Sequence, residues 1–275
     1  MGLEWILWAG FGLIIGSFLN VLIARHGVRS ILGRSACPRC GTTLQWFELV
    51  PVISWLILRG RCRTCSERIS IQYPIVELLT AAGFLAIGLA PVPLIERLLG
   101  AAIVSILVAI AVYDLYHTII PDVWAFLFGF LALILAGITR GDMEPWYQVL
   151  VSGPAVAFPL FFLWLISRGT WMGLGDAKLA LGIGFLLGLI PGYLALAIAF
   201  VLGAFVGVFI LLPLPRVAET LQRAGITHAR AVRGFTMKSE VPFGPFLICA
   251  LVLVWLSELY RLDLVVHLAR FLSWS

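Results

Sequence analysis

Four cysteines and four carboxylates hold most of the chemistry this sequence could perform. Cys37–Pro38–Arg39–Cys40 and Cys62–Arg63–Thr64–Cys65 are two Cys-x-x-Cys pairs with 21 residues between them. Each pair sets two thiolates one coordination edge apart, and two pairs complete a tetrahedral zinc site. Sulfur then fills every position and leaves none for water, so the Zn2+ would be structural. A pair of disulfides is the other reading, and a reducing compartment disfavours it. Gly41 eases the turn after the first pair; Ser66 holds the equivalent place after the second.

Glu77, Asp114, Asp122 and Asp176 lie in or at the ends of apolar stretches, where charge is costly and marks function by default. Asp176 closes Gly173–Leu174–Gly175–Asp176, whose glycines let a substrate backbone or another helix come close. It would also cap the helix that follows. That role leaves the glycine directly before the acid unexplained. Asp114 stands in Tyr113–Asp114–Leu115–Tyr116–His117, at the C-terminal end of a span where the helix dipole disfavours an anion. Asp122 follows Pro121 in the first turn of the next helix and reads as a dipole-stabilised capping residue. The reacting pair is therefore expected to be Asp114 and Asp176. Two carboxylates at one depth share a proton, because like charges so close cannot both ionise. One would take a proton from water while the other donates to a scissile carbonyl. His26, His117, His228 and His267 are scattered and make no competing hydrolase motif.

The elements that must place these groups are membrane helices. Of the 275 residues, 61% are hydrophobic and 12% charged, against about 25% charged in soluble domains. Apolar runs suggest eight spans, near 3–23, 73–90, 98–114, 122–138, 148–167, 176–190, 192–213 and 242–259. Ile190–Pro191–Gly192 is expected to divide the sixth from the seventh. Trp5–Ile23 is too long for a signal-peptide core and reads as a retained span. The fold class is thus all-α, a polytopic bundle, organised as a first helix (1–23), a zinc-binding insert (24–72) and a multi-span domain (73–275). Trp46–Leu58 is too short to cross and is expected to lie at the membrane surface or on the bundle. Cys249 reads as a small buried side chain in the last span.

Fifteen of the 19 Lys and Arg fall on one side of this arrangement: eight in 24–72, Arg168 and Lys178, and five in 214–241. Arg97, Arg140, Arg261 and Arg270 fall on the other, beside Asp142 and Glu144 of the 139–147 loop. The positive-inside rule then puts the insert and the acids in the cytosol and both termini outside. In this setting the net charge of +5 reports topology and gives no reason to expect nucleic acid as a partner.

Taken together, the motifs resemble the type IV prepilin peptidases, the leader peptidase and N-methyltransferase family. The likeness rests on Gly16–Ser17–Phe18–Leu19–Asn20–Val21 in the first span and on the double Cys-x-x-Cys insert, with Pro51–Val52–Ile53–Ser54–Trp55 and Leu58–Arg59–Gly60–Arg61–Cys62. It continues through Tyr73–Pro74–Ile75–Val76–Glu77, Asp114 with Ile120–Pro121–Asp122, the Gly-x-Gly-Asp block with Ala177–Lys178, and Pro242–Phe243–Gly244–Pro245. The resemblance implies an aspartic endopeptidase with catalytic Asp114 and Asp176 on the cytosolic side of the inner membrane. It implies prepilin or pseudopilin substrates, cut after a glycine that precedes their hydrophobic segment. It further implies methylation of the new N-terminus with S-adenosylmethionine, an activity associated with the insert, and Glu77 is carried over as a cofactor-binding residue.

Two other classes compete. In an ion-coupled transporter, Asp114 and Asp176 would bind a cation in transit, but acids gathered at one face argue against it. A membrane-anchored zinc module recruiting a cytosolic partner would explain residues 24–72 and leave the Gly-x-Gly-Asp block without purpose.

Overall fold

The computed structural model describes residues 3–28, 30, 33–141, 144–211 and 242–262. Among them the fold is all-α, with two isolated β-bridges in the insert. The helices are α1 (Glu4–Arg25), α2 (Ile53–Ile57), α3 (Gln72–Gly88), α4 (Leu94–His117), α5 (Asp122–Arg140), α6 (Trp146–Ser167), α7 (Leu174–Leu187), α8 (Leu189–Val206) and α9 (Gly244–Leu259). A wider-wound turn, Gly207–Leu211, extends α8. Among the described residues, five helices are long and apolar enough to cross a bilayer: α1, α4, α5, α6 and Leu189–Phe209. The shorter α3, α7 and α9, of 17, 14 and 16 residues, pack among them.

With the shorter α3, α7 and α9 counted, each successive bundle helix returns antiparallel to the one before, so chemistry at distant positions collects at two ends. At one end lie the C-termini of α1, α4 and α6 and the N-termini of α3, α5, α7 and α9. Pro93, Pro121 and Pro145 precede α4, α5 and α6, since an extended proline readily starts a helix and cannot continue one. The break between α7 and α8 is at Gly188, whose φ of +88° suits glycine, and not at Ile190–Pro191–Gly192. Pro191 sits in the first turn of α8, where its missing N–H leaves no bond unmade. The positive-inside count on 214–241, Asp142 and Arg270 lie outside the described residues.

Small residues hold the helices at close range, as expected where lipid supplies no hydrophobic drive between them. Gly12 and Gly16 form a Gly-x-x-x-Gly stripe on α1. A Cβ at these positions would stand 2.5 Å from Ala81 Cα and 2.7 Å from Glu77 Cα of α3. Between α6 and α7, Ser152 Oγ donates to Gly184 O at 2.8 Å, and a Cβ on Gly184 would meet Gly153 Cα at 2.8 Å. Phe128, Ile110, Leu179, Ile183, Leu247 and Leu251 fill the shared core of α4, α5, α7 and α9. The short α7 is thereby held on several sides, with Asp176 at its first turn. Cys249 faces outward from α9 and is exposed, contrary to the expectation of burial.

Candidate active site and metal cluster

Asp114 sits one turn from the C-terminus of α4 and is 4% exposed; Asp176 is the third residue of α7 and is 8% exposed. The two carboxylates lie close enough to interact electrostatically. The same loop wedges between the helices that carry and support them. Ile120, buried after the α4–α5 turn, packs where a Cβ on Gly175 would stand 2.9 Å from its own Cβ and one on Gly244 would stand 3.2 Å from its Cδ1. The glycine before Asp176 thus makes room for Ile120.

Asp114 has a partner that sequence reasoning missed. The backbone N–H of Gly244, first residue of α9, donates to Asp114 Oδ2 at 3.1 Å. A helix N-terminus carries partial positive charge, so α9 offsets the unfavourable end of α4 on which Asp114 stands. Pro242–Phe243–Gly244–Pro245 was legible as a helix start, but its target 130 residues away was not. Asp176 stands in the first turn of α7, two residues past Leu174 and three past the N-cap Gly173, where the positive end of the helix dipole favours a carboxylate. The expected capping role of Asp176 is thus corrected: the cap is Gly173, and the carboxylate lies inside the first turn without a side-chain cap bond.

Asp122 is of a different kind. Its side chain is 63% exposed, makes no capping hydrogen bond, and pairs with Lys178 Nζ at 2.6 Å. Capping is thus corrected to an exposed α5–α7 ion pair, and such pairs contribute about 0–1 kcal/mol. His117 is exposed, stacks on Tyr113 at 4.1 Å and turns Nδ1 to the Tyr113 carbonyl.

Glu77, 6% exposed, lies between α1 and α3. Oε2 accepts the N–H of Val52 at 2.7 Å. Val52 has φ +60° and ψ −49° and is the middle of a γ-turn closed by Ile53 N–H to Pro51 O at 2.5 Å. That conformation costs a β-branched residue about 1–3 kcal/mol. The Glu77 carboxylate helps to hold it. One turn along α1, Asn20 donates to Gly16 O and Tyr73 O, while its Oδ1 is buried without a partner.

In the insert, the sulfurs of Cys37, Cys40, Cys62 and Cys65 all lie within 4.8 Å of one another, with Cys37 to Cys65 at 3.8 Å. A tetrahedral zinc with Zn–S near 2.3 Å requires sulfurs about 3.8 Å apart, so the donor set fits. The four are free cysteines. The two halves share one backbone pattern. Gly41 N–H bonds to Cys37 O and Ser66 N–H to Cys62 O, and residues 36/43 and 61/68 form matching bridges. Gly41 and Ser66 adopt φ of +70° and +58°. Hydrogen bonds with Thr42 lower the Cys40 thiol to about 6; desolvation and the neighbouring thiols raise Cys65 to about 12. A divalent cation would resolve that sharing by deprotonating all four.

Two family models match the chain: the bacterial peptidase A24 N-terminal domain over residues 11–90 and the type IV leader peptidase family over residues 101–208. The prepilin leader peptidase/N-methyltransferase of Myxococcus xanthus (strain DK1622) is 39% identical over 243 residues, covering 83% of this chain and 70% of the relative. The type 4 prepilin-like proteins leader peptide-processing enzyme of Escherichia coli O78:H11 is 34% identical over 262 residues, covering 86% and 87%. This chain belongs to the type IV leader peptidase family. A relative from Bacillus subtilis (strain 168), named prepilin leader peptidase/N-methyltransferase, is 36% identical over 65% of the chain and 72% of its own length. No solved structure matches. Family membership and the apolar helices make the chain a multi-pass protein of the inner membrane, and the comparisons give the transporter reading no support.

Proposed function

We propose that the protein is a prepilin leader peptidase whose catalytic pair is Asp114 and Asp176, with N-methyltransferase activity on the product. The burial of these two acids at one end of the bundle carries the reading, because the third acid of the region, Asp122, is exposed and neutralised by Lys178. In the resting pair one carboxyl holds a proton. The ionised partner takes a proton from water as the water oxygen attacks the carbonyl carbon of the leader's terminal glycine. The protonated partner donates to the carbonyl oxygen, giving a neutral gem-diol. On collapse a gem-diol hydroxyl gives its proton to the ionised carboxylate as the C–N bond breaks, the amine leaves with the proton of the other carboxyl, and the pair again holds one proton. The N–H of Gly244 steadies whichever form of Asp114 carries charge.

The substrates of this reading are prepilins or pseudopilins whose hydrophobic segment lies in the bilayer and presents the scissile bond at the end where the dyad sits. That end is assigned to the cytosol, in line with the arginine-rich insert. The division into 1–23, 24–72 and 73–275 belongs to the same proposal. Cys37, Cys40, Cys62 and Cys65 would hold structural zinc and fix the two knuckles. S-adenosylmethionine, when bound, supplies an electrophilic methyl to the freed amine. Toward it, Glu77 keeps acceptor capacity beyond its bond to Val52, and the unpartnered Oδ1 of Asn20 adds a neutral acceptor for an ammonium or amine. Cleavage of a model prepilin by the purified protein, with each aspartate changed to asparagine in turn, tests the peptidase assignment.

A further inference from the structure

The insert carries an apolar surface that neither the dyad nor the metal cluster uses. Trp46, Phe47, Ile53, Leu56 and Ile57 are exposed, Trp46 at 79% and Ile57 at 75%. They lie on a 3₁₀ turn, Trp46–Leu49, and on α2. Trp55 turns inward, its Nε1 donating to Ile69 O at 3.3 Å and its ring covering Gly60, and Val50, Val52 and Leu58 are half-buried. The segment is too short to cross the membrane, and it leaves Trp46, Phe47, Ile53, Leu56 and Ile57 uncovered.

One hydrogen bond fixes its depth. Glu77 is the sixth residue of α3, and it holds the N–H of Val52, which links the 3₁₀ turn to α2. At 1.5 Å per residue the Glu77 Cα stands about 7.5 Å inside the level at which α3 begins, and its side chain leans back toward that level, so Val52 is held within this depth. Helices lying in a membrane interface bury their apolar face about 5–10 Å into the headgroup–acyl boundary. The charges beside the patch have the sign such a place favours. Arg59, Arg61 and Arg63 follow α2 directly and are exposed, and the Arg63 guanidinium stands 5.4 Å over the Phe47 ring. Across 24–72 there are eight arginines against two glutamates. Glu67 is paired with Arg39, and Glu48 closes the 3₁₀ turn by accepting the Gln45 N–H at 2.7 Å. A protein helix docking here would need a groove or a stripe several turns long, and α2 has five residues.

We propose that residues 46–63 form an interfacial anchor, with the apolar side chains of Trp46, Ile53, Leu56 and Ile57 seated among lipid acyl chains and Arg59, Arg61 and Arg63 on anionic headgroup phosphates. The anchor sets the height of the insert over the dyad and is independent of which peptide is cut. The test places the photocrosslinker p-benzoylphenylalanine at Trp46, Leu56 or Ile57 in the full chain. The protein is reconstituted in phosphatidylethanolamine vesicles with or without phosphatidylglycerol. Lipid-facing Phe130 of α5 serves as the positive control and exposed Arg68 of the insert as the negative one. The anchor predicts lipid adducts at all three positions at the Phe130 level and several-fold above Arg68. It also predicts a rise with phosphatidylglycerol at Ile57 that Arg59→Gln/Arg61→Gln/Arg63→Gln abolishes. Adducts no higher than at Arg68, or adducts to a second copy of the chain or to an added prepilin in place of lipid, would overturn it. Yields that ignore phosphatidylglycerol would overturn the headgroup contacts.

Discussion

Gly244→Ala is a small change that should strike the dyad while sparing the bundle. A Cβ at Gly244 would stand 2.6 Å from Asp114 Oδ2 and 3.3 Å from its Cγ, where ordinary contact begins at 3.4 Å. The carboxylate is the free end of a side chain, so it yields and the helices do not. In yielding it gives up its 3.1 Å bond from the Gly244 N–H. Hydrogen bonds to charged groups contribute about 1.5–3 kcal/mol, which corresponds to about 10- to 150-fold in rate if the loss falls on the transition state. Misplacing a reacting group by 1 Å can cost roughly 10²-fold, which agrees. Alanine is the better helix former by about 1 kcal/mol, so the fold should not suffer. The assay is kcat/KM on a model prepilin in detergent, beside thermal unfolding and methylation of an already cleaved peptide. The expected result is a 10- to 150-fold loss of cleavage with the melting temperature and methyl transfer retained. Wild-type cleavage would refute the placement of Asp114 under α9, and a collapse of the melting temperature would show that the glycine serves packing instead.

Further outcomes follow from the same geometry. Cys62→Ser should abolish zinc retention, measured as metal per chain after gel filtration, and make the insert sensitive to protease, because the three remaining thiolates leave the structural site open. Ser66→Gly should stabilise the insert by up to about 1 kcal/mol, since glycine tolerates the φ of +58° that serine now bears; protection of the insert amides from hydrogen exchange would rise, and unchanged exchange would contradict the reasoning. Gly16→Leu should destabilise the bundle by about 1–3 kcal/mol or more, because the Glu77 Cα and Val76 carbonyl it meets are backbone and cannot rotate away. A melting temperature unchanged by that substitution would mean that α1 and α3 are not in contact there.

Much of this architecture was legible because its signals are local. Apolar run length located the spans, and the Cys-x-x-Cys spacing located the sulfur cluster. Asp114 and Asp122 read differently from their places on the helix dipole alone, and the first is buried and the second exposed. What escaped was set by contacts distant in sequence. Nothing near Asp122 names Lys178, 56 positions away, as its partner, so the acid read as a cap. The bond from Gly244 to Asp114 and the wedge of Ile120 against Gly175 depend on which helix ends meet, and periodicity does not report that. Gly188 lost to Pro191 as the expected break because proline is the louder signal, yet proline at a helix start is harmless and only the positive φ ends α7. The hold of Glu77 on the strained Val52 is likewise a tertiary bond, invisible in either motif alone.

The central claim is that two buried aspartates share the cleavage and the exposed one does not. The most direct measurement compares cleavage of a model prepilin by wild type, Asp114→Asn, Asp176→Asn and Asp122→Asn, each shown to be folded by its melting temperature. The account predicts no detectable turnover for the first two variants, and a rate within about tenfold of wild type for Asp122→Asn, whose surface ion pair contributes at most about 1 kcal/mol. Cleavage by Asp114→Asn or Asp176→Asn at the wild-type rate, or loss of activity in Asp122→Asn alone, would contradict it.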